Sequence, residues 1–230
     1  MLADFLAGAF IAFEGVDGSG KSTLAKRLVL ALQAAGKPAM LTREPGGTTI
    51  GEQIRTVLLD GPSSSILPTT EMLLFAAARA QLVGEVIAPA LREGLIVVSD
   101  RFSDSSLAYQ WGARGLEKEN VIQAQNIATG GVEPDLKILL DMPVETALKR
   151  RLAVEHELNR LDREVVEFHS RVGEAYHLLA VADPKRWRVI DADRDEDDVW
   201  SDVWQAVASS TLFAKSARSK TSPGTQRRPM

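Results

Sequence analysis

The chain has 230 residues, 45% of them hydrophobic, a net charge of −4 and no cysteine. That length buries a full core as one domain, and the missing thiols exclude disulfides, thiolate metal sites and a cysteine nucleophile. Five of the cations fall in an acid-free tail from Lys215, which leaves residues 1–214 at −9, so a general nucleic-acid coat is not expected.

Three histidines, His156, His169 and His177, show no zinc-ligand spacing, and any metal is expected to be hard and oxygen-bound. No window reaches the roughly 18 uninterrupted apolar residues of a membrane span. The first residues lack the basic start and long apolar core of a signal peptide. A soluble, cytoplasmic protein without a membrane partner is the expectation.

In chain order, strands are expected near 10–14, 38–42, 95–99, 136–141 and 187–190, with long helical segments between them. Runs such as Leu95-Ile96-Val97-Val98 and Leu136 to Leu140 are apolar on both faces over most of their length, as covered parallel strands are. The fold class is therefore α/β, a central five-stranded parallel sheet flanked by helices, with ligands at the carboxyl ends of the strands.

Directly after the first strand stands Gly15-Val16-Asp17-Gly18-Ser19-Gly20-Lys21-Ser22-Thr23, which contains Gly-x-x-x-x-Gly-Lys-Ser. Leu24, Leu28 and Leu32 then recur at helical spacing, so the segment has the strand–loop–helix context of a phosphate cradle, a P-loop. Its glycines let backbone N–H groups converge on phosphate oxygens, and the helix points its positive end at them. Lys21 is expected to reach the β- and γ-phosphates of a bound nucleotide, and the Ser22 hydroxyl to ligate Mg²⁺. Asp17 is an anion among groups meant for phosphates, so it needs a task of its own, such as accepting from a sugar hydroxyl or orienting metal-bound water.

After the second strand, Arg43-Glu44-Pro45-Gly46-Gly47-Thr48 forms a tight loop that, taken alone, is only a turn. A long helical stretch over roughly 49–92 follows, broken at Gly61-Pro62-Ser63-Ser64-Ser65 and perturbed by Pro89. Within it Phe75 and Arg79 share a helix face. They form either a base-stacking ring with an edge-reading guanidinium, or a core phenylalanine beside a solvated arginine. Asp100 and Arg101 close the third strand, where a carboxylate supports Mg²⁺ and a guanidinium grips a second phosphate; a salt-bridged strand end is the alternative.

One turn further on, Ser105, Ser106, Tyr109 and Gln110 supply hydroxyls and an amide. Lys149, Arg150, Arg151, Arg160 and Arg163 form a basic segment after the fourth strand. It is either a lid that closes over a transferred phosphoryl group or a solvent-facing helix. The chain divides into a P-loop domain over 1–213, with its lid about 150–163, and a basic tail over 214–230. The tail's Ser, Thr and Pro content reads as disordered, either solvated or touching RNA.

Taken together these segments resemble the thymidylate kinase family, P-loop enzymes that phosphorylate dTMP with ATP. The resemblance covers roughly 9–208 and rests on the phosphate loop with its aspartate, Thr42 to Thr48, Phe75-Ala76-Ala77-Ala78-Arg79, Asp100-Arg101-Phe102 and Ser105 to Gln110. It implies that residues 15–23 bind ATP, with Ser22 and Asp100 at Mg²⁺. It implies that Asp17, Arg43, Glu44, Pro45, Phe75, Arg79, Arg101, Ser105, Ser106, Tyr109 and Gln110 hold dTMP. Phe75 would stack on the base, Arg79 bond its edge, Tyr109 exclude a 2′-hydroxyl, Asp17 accept the 3′-hydroxyl and Arg101 hold the dTMP phosphate.

Charge in the transition state is neutralised in that family either by an arginine in the phosphate loop or by arginines in the lid. Gly18 stands at the loop position, so Lys21 and Arg101 are joined as catalytic candidates by Arg150, Arg151 and Arg160. Phe102 and Trp111 depart from the family pattern and are expected to alter the pocket's shape. A homodimer is implied. The rivals are a kinase for another nucleoside monophosphate and a P-loop switch, the latter lacking an Asn-Lys-x-Asp segment here.

Overall fold

The first strand, β1 (Ala9–Glu14), is buried at all six positions in the computed structural model, which describes residues 8–60, 66–153 and 158–210. Phe10 and Ala12 face one core cluster, with Leu82, Ile87 and Val97. Ile11 and Phe13 face the other, with Leu28, Val98 and Ile138. Both sides of the pleat are thus covered, which is why no polar alternation appears in the sequence.

The remaining strands are β2 (Ala39–Arg43), β3 (Ile96–Asp100), β4 (Leu136–Asp141) and β5 (Trp187–Asp191). All pair in parallel in the order β2-β3-β1-β4-β5. Every expected strand is present, shifted by at most a residue or so at its ends. The chain leaves β1 toward β2 on one side and later fills the other side, which makes the carboxyl end of β1 the switch point where ligands bind. In register there, Asp100 pairs with Phe13 on one side and Arg43 on the other.

Helix α1 (Lys21–Ala34) follows the phosphate loop. The long helical stretch resolves into α2 (Thr49–Leu59), α3 (Pro68–Leu82), a π-helical turn over Val83–Ile87, and α4 (Ala88–Arg92). The expected break at 61–65 lies outside the described residues. Pro89 has no N–H to give the preceding turn, and the wider turn sits immediately before it, with Ala88 N–H reaching back to Val83 O. By length and composition the run Pro68–Arg92 is apolar enough to cross a membrane. Its Glu71 and Arg79 are ion-paired inside the protein, so here it serves as a core helix.

Beyond β3 come α5 (Ser103–Ser106), a π turn over Leu107–Ala113 and α6 (Lys118–Thr129). After β4 come α7 (Val144–Leu152), a 3₁₀ turn over Leu161–Arg163 and α8 (Val166–Ala182), and α9 (Glu196–Ala208) closes the fold. The expected lid thus spans the last turn of α7 and the 3₁₀ turn, with 154–157 outside the described residues. The tail over 214–230 also lies outside them.

Candidate active site

The phosphate loop adopts conformations that only glycine takes without strain. Gly18 has φ 89°, and a Cβ there would lie 2.0 Å from the backbone oxygen of Ala147 on α7. The loop is pressed against the lid helix, and no side chain fits at the position where part of the family carries an arginine. Lys21 is buried, and its Nζ donates to Val16 O at 2.8 Å. Burial, joined by the nearby Arg101 charge, pushes its ammonium down to about 8. The Ser22 hydroxyl donates to Asp100 Oδ2, so two hard oxygen donors from α1 and β3 meet beside the loop. That donor set fits Mg²⁺ shared with phosphate oxygens. Among the described residues no cluster of three or more acidic, His or Cys side chains offers a rival metal site.

Arg101 crosses from β3 to the loop. Its Nη2 is 2.5 Å from Asp17 Oδ1, and the Tyr109 hydroxyl donates to Asp17 Oδ2 at 2.7 Å. Burial alone would raise the Asp17 carboxyl, but Arg101 and Lys21 carry it well below the carboxylate range. Beneath Arg101 lies Glu14, fully buried, accepting from Phe102 N at 2.9 Å, Ser105 Oγ at 2.6 Å and Tyr176 OH at 2.9 Å. Burial, with the Asp104 charge, pushes Glu14 up to about 7.

At the other end of the cleft Arg79 is 1% exposed. Its N–H groups go to both Glu44 oxygens, Ser106 Oγ, Gln125 Oε1 and Phe102 O. All five guanidinium donors therefore have protein acceptors. The alternative of a solvated Arg79 is overturned, and a base edge reaches this guanidinium only in exchange for one of those partners. Burial, outweighing Arg79, raises the Glu44 carboxyl.

Ser105, Ser106, Tyr109 and Gln110 all line the cleft, although they belong to consecutive turns. The turn over Leu107–Ala113 closes five residues apart, as in Arg114 N–H to Tyr109 O. Spaced i, i+1, i+4 and i+5, the four share a face in an ordinary helix, and the π turn that three of them border or enter is of a kind that recurs at functional sites. Neither Phe102 nor Trp111 lines the cleft directly, although the Arg79 guanidinium lies over the Phe102 ring at 5.5 Å. Phe102 is fully buried edge-on to Phe10, and Trp111 carries Lys118 Nζ at 4.5 Å from its ring centre.

These groups surround one cleft of about 650 Å³. Its wall includes Asp17, Gly18, Gly20 to Thr23, Arg43, Glu44, Pro45, Phe75, Arg79, Asp100, Arg101, Arg150 and Arg151. Gly15, Val16 and Ser19 are not among the residues whose atoms line the cleft. Arg160 departs from expectation. It is 3% exposed, donates to Leu58 O at 2.9 Å and pairs with Glu71, so it pins the lid's foot to α2 and α3 instead of entering the site.

Arg150 is half-exposed, with Nη2 3.5 Å from Asp193 Oδ1 after β5. Arg151 pairs with Asp162 at 2.8 Å. Sequence reading missed Arg55, which also faces the cleft and donates to Pro45 O at 2.9 Å. It also missed Glu71, which accepts from Gln110, Arg114 and Arg160. Neither has a local signal, since a lone charge on a helix reads as solvated.

A parallel sheet with this strand order, a phosphate loop at its switch point and a cleft lined by Arg43, Arg55, Arg79, Arg101, Arg150 and Arg151 define the P-loop nucleotide-binding enzymes as the class. Within that class, the family described as thymidylate kinase matches residues 13–203. A thymidylate kinase of Pelotomaculum thermopropionicum is 49% identical over 88% of this chain and 94% of its own length. One of Thermomicrobium roseum is 49% identical over 86% and 93%, and one of Nitratidesulfovibrio vulgaris 44% over 87% and 96%. The chain belongs to the thymidylate kinase family.

Proposed function

We propose that this cleft transfers the γ-phosphoryl group of ATP in line to the phosphate of dTMP, giving ADP and dTDP for dTTP synthesis. The observation that carries the reading is the Asp17–Arg101 pair. It joins the phosphate loop to the end of β3 inside one cleft, which supports a single guanidinium serving both anionic substrates. An oxygen of the acceptor phosphate forms the new P–O bond while the bond from Pγ to the β,γ-bridging oxygen breaks. The acceptor is already an anion, so no strong base is required, and catalysis rests on positioning and charge neutralisation.

In this reading residues 15–23 cradle ATP, and Lys21 swings from Val16 O to the phosphates. Ser22 and Asp100 hold Mg²⁺, which supplies charge neutralisation on the phosphate oxygens when bound. Arg101 holds the dTMP phosphate, with Arg43 and Arg55 adding positive potential beside the Pro45 loop. Phe75 stacks on the base, and Arg79 meets its edge by releasing Gln125 or Ser106. Ser105, Ser106 and Gln110 line the nucleoside, while Tyr109 fills the space a 2′-hydroxyl needs and Asp17 accepts the 3′-hydroxyl. Arg150 and Arg151 approach the transferred group from the lid.

A homodimer has support in the exposed apolar side chains Leu73 on α3 and Ile127 on α6, two helices that pack on each other.

The test is an ADP-release assay with Mg·ATP against dTMP, dUMP, dGMP, dCMP, UMP and AMP, with products identified by mass. A strong dTMP preference is expected. Another preferred monophosphate overturns the base assignment, and ATP binding without any transfer overturns the kinase reading.

A further inference from the structure

Arg101 has φ 73°, the one residue other than glycine at positive φ among those described. A bulky residue holds that conformation only when its surroundings over-determine it. Here they do. Arg101 N–H donates to Phe13 O at 2.9 Å, Ser99 Oγ donates to Arg101 O at 2.6 Å, and the next N–H, that of Phe102, goes to Glu14 Oε1 at 2.9 Å.

The other Glu14 oxygen sets the side chain. Oε2 accepts from Ser105 Oγ at 2.6 Å and from Tyr176 OH at 2.9 Å, and both hydroxyl oxygens also lie near Arg101 Nη1, at 3.3 and 3.2 Å. Each hydroxyl has one proton and two lone pairs. The two hydroxyl oxygens are also 2.8 Å from each other, so either could donate to its neighbour; directing both protons to the carboxylate instead leaves their lone pairs for the guanidinium. Neither Glu14 nor Tyr176 lines the cleft, and both are at most 1% exposed, so neither touches substrate.

We propose that Glu14 is a positioning residue for phosphoryl transfer: by taking the Ser105 and Tyr176 hydroxyl protons it turns both oxygens into acceptors for Arg101 and fixes the direction its guanidinium presents to the acceptor phosphate. This rests on Arg101 holding that phosphate. Glu14→Gln is isosteric but puts an N–H₂ group where the hydroxyls must donate, so at least one proton turns toward the cation. Tyr176→Phe removes one acceptor outright.

The experiment is a double-mutant cycle read by calorimetric dTMP and ATP dissociation constants at pH 8, using E14Q, Y176F, R101A and the two doubles with R101A. Expected are a dTMP affinity about tenfold weaker in E14Q and about fivefold weaker in Y176F. ATP affinity should be unchanged in both, and either change should cost less than about twofold once Arg101 is alanine. Unchanged dTMP affinity, equal losses with and without Arg101, or a matching loss of ATP affinity each overturn the proposal. If E14Q does not fold, Y176F runs the same cycle alone. If R101A itself binds dTMP as tightly as the parent, the acceptor-phosphate reading fails, an outcome distinct from loss of coupling.

Discussion

Asp17 and Arg101, 84 positions apart in the chain, form a pair with Nη2 2.5 Å from Oδ1, and the Tyr109 hydroxyl takes the second Asp17 oxygen at 2.7 Å. One carboxylate in the phosphate loop therefore orients both the arginine assigned to the acceptor phosphate and the tyrosine assigned to the sugar. Asp17→Asn keeps the shape and removes the charge. We expect kcat/KM for dTMP to fall on the order of 10²-fold, with the ATP dissociation constant within about threefold of the parent, as steady-state kinetics and nucleotide titration will show.

The lid arginines separate by role. Arg150→Ala should lower kcat about 10²- to 10³-fold with little change in melting temperature, because its side chain is half-exposed at the cleft and its contacts, to Ala192 O at 3.3 Å and Asp193 Oδ1 at 3.5 Å, are long. Arg160→Ala should instead destabilise the protein by about 3 kcal/mol, since it leaves the buried Glu71 short of a partner and Leu58 O unpaired. Kinetics and thermal melts of the two variants, side by side, check this. A catalytic defect without a stability loss in R160A contradicts it.

Gly18 leaves no room for a side chain in the phosphate loop. A Cβ at that position meets Ala147 O at 2.0 Å, so Gly18→Arg cannot place a guanidinium in the loop without displacing α7. Gly18→Arg is expected to weaken ATP binding and to fail to restore turnover in an Arg150→Ala background. Restored turnover in that double variant would show that the loop and lid solutions are interchangeable here.

Glu14 also has a thermodynamic signature. Its folded pKa of about 7 lies above the ordinary carboxylate value because of burial and then Asp104, so folding favours the protonated form. The groups that face it are Asp104, itself paired with Lys137, together with Arg101, Lys21 and the hydroxyls of Ser105 and Tyr176. The stability it contributes is complete below the unfolded pKa and is lost as pH rises through 7. Glu14→Gln does not titrate, so its melting temperature relative to the parent should rise between pH 5 and pH 8. The upper bound is on the order of 3 kcal/mol. A difference that is flat with pH, measured by calorimetry, contradicts the shift.

Much of this site could be read one segment at a time. The phosphate loop announced itself because strand, glycines, Lys21 and helix are contiguous, and the Arg43 loop and the Asp100-Arg101 pair were placed at strand ends because the apolar runs stop just before them. Ser105, Ser106, Tyr109 and Gln110 were identified, but the π turn over Leu107–Ala113 was not, since one wide turn is too short for its periodicity to show in the sequence. Arg160 misled for a related reason. A basic residue in a lid segment has no local mark that separates a cation facing phosphates from one buried against Glu71, 89 positions away.

By itself, the sequence determined the sheet, its parallel sense, the phosphate loop and the family to which the chain belongs. Those depend on periodicity and contiguous chemistry, which one strand or one turn carries in full. Only the tertiary structure decided which arginines face the cleft, that every Arg79 donor is already engaged, and that Glu14 and Tyr176 stand behind Arg101. Buried hydrogen bonds between residues far apart in the chain are set by the packing of whole elements, and a carboxylate or hydroxyl has no direction until its neighbours have excluded water and left it a single partner.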